Sequence, residues 1–172
     1  MASDAANIIF GPLVRMKALV AASAAFQTLV GHAANAALAA GHVYCPTIAG
    51  NFAAARPFAL VDFGDAHDII RNSTDTFSES GSAVVQFDVG FPSDATLVLT
   101  DPSDTVRENA GYEWFADLVG DILAEMVALS NGSGGYLNVM AIRQVVPPTR
   151  GAKEDVKTFG DYLFAAYSVG WR

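Results

Sequence analysis

The chain has 172 residues, 52% of them hydrophobic, which suffices for one domain with a sizeable core and excludes wholesale disorder. The formal net charge is −8, and 14 of the 18 Asp and Glu lie between Asp62 and Glu125 beside only Arg71 and Arg107, so this region is not one that grips nucleic acid, which needs clustered Lys and Arg. A single cysteine, Cys45, excludes an intramolecular disulfide and fits assembly in a reducing cytosol.

Neither a leader nor a membrane span is expected at the start. Asp4 occupies the place of a basic n-region, and the apolar stretch from Leu13 to Ala40 is interrupted by Arg15, Lys17, Gln27, His32 and Asn35. Pro12 suits the first turn of a helix, and Met16, Leu19, Val20, Ser23, Phe26, Gln27 and Val30 follow at helical spacing. This predicts one long helix through the alanine-rich tail to a cap at Gly41, with Pro46 preventing its resumption. Arg56 to Gly64 reads as the first strand, with proline at its start. Val85, Phe87, Val89 and Phe91 alternate with Gln86, Asp88 and Gly90 in the second. Between them, Gly64 to Gly81 is acidic, rich in Ser and Thr and far longer than a hairpin loop, and it reads as an arm.

Ala95 to Thr100 forms a short third strand in this reading. From Asn109 the pattern turns helical: Phe115, Leu118, Val119, Ile122, Met126 and Leu129 make one stripe, while Glu113, Asp117, Asp121 and Glu125 make a solvated one. Asn131-Gly-Ser-Gly-Gly135 closes this helix after about five turns. Tyr136 to Val146 is a strand stopped by Pro147-Pro148, residues 149–159 form a basic loop, and Gly160 to Trp171 is the last strand. Both faces of that strand carry bulky apolar groups, so it is expected to be covered by the helices on one side and by a neighbouring subunit or a second layer within the chain on the other. The fold class is α+β: a mostly antiparallel sheet of about four strands, two long helices on one face and a long arm between the first two strands, in a single domain over residues 1–172.

The chemistry-bearing residues form no familiar constellation. Asp62-Phe-Gly64 spells a kinase magnesium motif but lacks the accompanying glycine-rich and catalytic loops. Asp62, Asp65, His67 and Asp68 offer oxygen and nitrogen ligands without the ordered spacing of a metal loop. His32 and His42 are too far apart in sequence for a helical ligand pair and read as surface or packing residues. Ser130-Asn-Gly-Ser-Gly-Gly135 follows a helix instead of opening one, so it is a cap and not a phosphate cradle. Cys45 reads as packing. No catalytic residue, metal or cofactor is therefore expected.

The long N-terminal helix, Arg56-Pro-Phe-Ala-Leu-Val61, Phe77-Ser-Glu-Ser-Gly-Ser82 before an alternating strand, a Trp114-Phe115 helix, Arg150 in a loop, Gly160-Asp-Tyr-Leu-Phe164 and a terminal Tyr167-Ser-Val-Gly-Trp171 together resemble the tail-terminator (tail-completion) proteins of long-tailed bacteriophages. The resemblance covers most of the chain from about residue 56 and, more loosely, the first helix; the alanine-rich segment 33–40 and the acidic arm depart from it. It implies a non-enzymatic virion protein, assembled in the host cytoplasm, whose hexameric ring sits on the last tail-tube ring, stops its polymerisation and meets the head connector or stopper, while DNA passes through without specific binding. With that reading, Phe77, Glu79, Arg150, Lys153, Lys157 and Trp171 are candidates for contacts with subunits or partners, and Asp62, Asp65, Asp68 and Asp75 for the channel wall. Two other classes compete: a small metal-dependent hydrolase using Asp62, Asp65 and His67, and a cytosolic ligand-binding α+β module.

Overall fold

The computed structural model of the chain describes residues 10–45, 56–71, 73, 77–90, 104–131, 137–151 and 162–172. In chain order the elements are α1 (Gly11–Ala22), α2 (Ala24–Leu29), α3 (Ala36–Ala39), a 3₁₀ turn (Ala40–His42), β1 (Val43–Tyr44), β2 (Phe58–Arg71), β3 (Phe77–Gly90), α4 (Asp104–Ser130), β4 (Val139–Gly151) and β5 (Tyr162–Trp171). The architecture is α+β, as expected. Among the described residues the sheet has five strands in the order β1-β2-β3-β5-β4, with β1 parallel to β2 and every other pairing antiparallel.

One face of this sheet makes the core. Ala59 and Val61 of β2, Ala83, Val85, Phe87 and Val89 of β3, and Leu163, Ala165, Val169 and Trp171 of β5 are buried there. Against them lie Leu13, Met16, Leu19 and Val20 of α1, Phe26 of α2, and Phe115, Val119, Ile122 and Met126 of α4. The spacing in α4 alternates steps of four and three, which keeps one stripe of a helix turned inward. Phe26 meets Phe87 with ring centroids 6.5 Å apart, which joins the second helix to the middle of the sheet. No helix among the described residues is long and apolar enough to cross a membrane.

The first helix is not continuous, contrary to its periodicity. Ser23 leaves the helical region (ψ 126°), and its Oγ accepts a hydrogen bond from Phe26 N at 3.1 Å, capping α2. The break frees carbonyls at the end of α1, and the buried side-chain amide of Gln27 donates to two of them, Ala21 O at 3.0 Å and Ala22 O at 3.1 Å. A second stop follows. Gly31 takes φ 76°, with Gly31 N bonded to Thr28 O and His32 N to Gln27 O, which is the paired-bond C-cap that only a left-handed residue completes. Thus, among the described residues, one long helix, α4, and three short ones stand in place of the two long helices expected.

The remaining differences concern strands. Gly64 to Gly81 is not a loose connection: β2 and β3 are 14-residue strands that stay paired to Arg71 and Phe77, with a register shift between Phe63 and His67. Pro147 and Pro148 do not end β4, which continues to Gly151. β4 is an edge strand with register shifts on both sides of Val146, and edges and bulges are where a missing N–H donor is tolerated. The two-residue β1 was not anticipated. The expected strand Ala95–Thr100 and the turn after Asn131 lie outside the described residues.

Candidate assembly surface

The last partner of β3 on β5 is Gly81, opposite Trp171. Beyond this point β3 pairs only with β2, through Asp68↔Ser80, Ile69↔Glu79, Ile70↔Ser78 and Arg71↔Phe77. β1 reaches no further along β2 than Leu60. The arm is therefore a two-stranded ribbon that runs on past the sheet, and both of its edges lack a strand neighbour among the described residues. Such ribbons present open N–H and C=O groups to any extended chain that meets them.

Side chains along the ribbon explain why the sequence hides it. Asp65 and Asp68 are exposed, Ile69 is 41% exposed and Ile70 57% exposed. The pleat places Ile69 on the helix side and Ile70 on the other, so neither face has a consistent apolar row. With no core beneath it, the segment has no period to show.

Its root, by contrast, is held at four places. Arg15 Nη2 of α1 pairs with Glu79 Oε2 at 2.9 Å, both side chains being partly buried. Phe10 meets Phe63 with centroids 5.9 Å apart, and the His67 ring lies 6.1 Å from that of Trp171. Gly64 packs so closely on β3 that a Cβ there would overlap the Ser82 hydroxyl and stand 2.8 Å from its backbone carbonyl. His67 Nε2 and Trp171 Nε1 are both buried and have no hydrogen-bond partner among the described residues.

The face of the sheet away from the helices is mixed. Asp88 is 3% exposed there; its carboxylate accepts from Gln86 Nε2 at 2.7 Å and from Arg56 Nε at 3.3 Å. Phe58, next to it, is buried, as is Ala166 of β5, and Arg56 stands over the Phe58 ring at 5.8 Å. β5 thus has buried residues on both faces, but Phe164 and Ser168 remain partly open. At the β4 edge Met140 (61%) and Val145 (53%) are exposed, together with Arg143 and Gln144.

The residues singled out from the sequence fall in different places. Trp171 is a core residue, 3% exposed, because the end of β5 lies under the root of the ribbon; it is not a surface contact in this chain. Glu79 is engaged by Arg15 within the same chain. Phe77 opens β3 at the tip of the ribbon, and Arg150 lies in β4 opposite Leu163 instead of in a loop. Lys153, Lys157 and Asp75 lie outside the described residues. Asp62 sits on the face away from the helices, where its carboxylate accepts from its neighbour's amide, Phe63 N, at 2.8 Å. Asp68 shares that face, by its pairing with Ser80. His67, opposite Gly81, points to the helix side. The register thus separates His67 from Asp62, and among the described residues no group of three or more His, Cys, Asp or Glu is placed to hold a metal ion.

One acid of α4 has a role that its spacing conceals. Glu113, Asp117 and Asp121 are exposed, but Glu125 accepts from Ser23 Oγ at 2.6 Å and from Ala25 N at 3.0 Å. Burial pushes its carboxyl up, yet hydrogen bonds from the Ser23 hydroxyl and the Ala25 and Ala24 amides outweigh this and hold it below the usual range. It joins α4 to the break between α1 and α2. For Cys45, burial pushes the thiol up, Asp62 adds to this and Lys17 opposes it, so the sulfur stays protonated and serves as packing. Comparison with protein-family models finds no match, and comparison with curated proteins finds none either.

Proposed function

We propose that this chain is a structural subunit of a phage tail, forming a ring at the head-proximal end of the tail tube that ends tube growth and joins the tail to the head connector or stopper. The observation that carries this reading is the braced ribbon. It projects past the sheet, exposes Ile69 and Ile70, and is fixed at its root by Arg15 and Phe10. A fixed, partly apolar projection is suited to bury itself on a neighbour, and a head-to-tail contact of that kind closes into a ring when its rotation divides the circle. The open edge of β4, with Met140 and Val145 exposed, supplies a second surface of matching character.

The charge distribution agrees with a passage for DNA. Asp62 and Asp68 share the sheet face turned away from the helices, and acids along a channel repel phosphates and keep the genome from adhering. In this proposal the ring is hexameric, as the resemblance implies, and works in the virion without chemistry of its own. Native mass spectrometry of the protein, alone and with purified tail-tube protein, tests it. A closed oligomer that binds tube ends is expected; a chain that stays monomeric at high concentration and ignores the tube contradicts the proposal.

A further inference from the structure

The chain has three histidines, and the fold brings two of them together. His32 follows the left-handed Gly31 at the end of α2, and His42 ends the 3₁₀ turn after α3. The short α3 folds the chain back so that the two rings lie with centroids 5.2 Å apart and planes inclined by 54°. His42 Nδ1 is 3.3 Å from the carbonyl oxygen of Pro57. A carbonyl can only accept, so this contact places the proton on Nδ1 and leaves the lone pair on Nε2. That is the outer-shell arrangement found around imidazoles that ligate metals, where one nitrogen donates to an oxygen and the other is free to bind.

The separation of the rings fits the same purpose. Two imidazoles bound to one tetrahedral ion at about 2.0–2.1 Å have ring centres about 5 Å apart. Both histidines are partly exposed, so an ion can enter from solvent. Between His32 and His42 the chain itself carries no Lys or Arg. Nor does it carry Asp, Glu or Cys between them, so the two imidazoles are the donors, which suits Zn²⁺ and neighbouring transition ions and not Mg²⁺ or Ca²⁺, which prefer oxygen. We propose that His32 and His42 form a two-imidazole site for a divalent transition ion of the Zn²⁺ class, with water completing the coordination. Such an ion would tie the end of α2 to the turn before β1, which the His42 contact with Pro57 already joins to the residue before β2, and the inference stands apart from the assembly reading.

Isothermal titration of the full chain with Zn²⁺, with Mg²⁺ as the control, tests the site. One Zn²⁺ per chain is expected, together with a higher melting temperature in its presence. His32→Ala and His42→Ala should each weaken binding about tenfold or more and remove the thermal shift, while His67→Ala should leave both unchanged. His32→Gln and His42→Gln, which keep size and polarity, carry the comparison if an alanine variant fails to fold. Absence of Zn²⁺ binding in the parent overturns the proposal and leaves the two rings as an aromatic contact only. So does binding that survives either substitution, or binding lost with His67→Ala.

Discussion

The two halves of the β2–β3 hairpin are one continuous ladder, yet they are stabilised by different means. In the first, Phe58 to Phe63 pairs with Ala83 to Asp88, and Val61, Ala83, Val85 and Phe87 are buried under the helices with β5 alongside. In the second, His67 to Arg71 pairs with Phe77 to Gly81, and beyond the Gly81–Trp171 pair it has no third strand among the described residues. An isolated two-stranded ribbon is marginally stable in water, so this half depends on the contacts at its root and on whatever it meets at its tip. Backbone pairing alone therefore says little about where folding energy resides. The hydrophobic half holds the fold together; the polar half contributes little to the core, which is what the proposed assembly role requires of it.

Substitutions on either side of the boundary should separate these roles, and the core half gives the largest effect. Phe87→Ala removes a ring that is 1% exposed and should cost about 3–5 kcal/mol in denaturant unfolding, whereas Ile70→Ala should stay within about 0.5 kcal/mol. Equal losses would erase the distinction. At the boundary itself, Gly64→Ala forces a Cβ against Ser82 and should destabilise by about 1–3 kcal/mol, with faster amide exchange along the ribbon as its local sign.

A smaller effect is expected at Glu125 of α4, which braces the helices that cover the core half. Its carboxyl is lowered in the folded chain, so the stability it contributes is fully present above the unfolded value of about 4.3 and is lost as pH falls through the lower folded value. Glu125→Gln should cost about 1 kcal/mol near neutrality, and its stability should fall less steeply than the parent's on acidification. A parallel pH profile for both proteins would show that Glu125 is not engaged. A change no larger than that belongs to Arg15→Ala. This pair is partly exposed, so the loss should not exceed about 1 kcal/mol, but amide exchange near Glu79 should rise while that of β5 does not.

Much of the fold was legible because a core leaves a period in the chain. The four-and-three spacing from Phe115 to Met126, the alternation from Val85 to Val89 and the apolar face of β5 each register contact with one buried layer. The ribbon was not legible for the same reason: Asp68, Ile69 and Ile70 face no core, so their strand conformation has no hydrophobic signature. The break in the first helix was hidden in another way. Ser23 and Gln27 sit at helical spacing among small and apolar residues, and only the third dimension shows that they cap one helix and close another with help from Glu125. Glu125 itself keeps the spacing of three solvated acids. Pro147 and Pro148 would stop an interior strand, and their tolerance depends on β4 lying at an edge, which sequence does not reveal. Likewise Trp171 reads as a bulky terminal residue, and its burial beneath His67 follows from where the hairpin leaves the sheet.

The proposed division between a folded body and an assembling ribbon is tested most directly by removing the ribbon alone. Residues 68–80 can be replaced by Asn-Gly, which joins the paired positions His67 and Gly81 through a two-residue hairpin turn. The shortened protein and the parent would be followed by thermal melting and by native mass spectrometry with tail-tube protein. The account predicts a cooperative melt within a few degrees of the parent together with loss of the ring. A shortened chain that no longer melts cooperatively, or one that still assembles as the parent does, would contradict it.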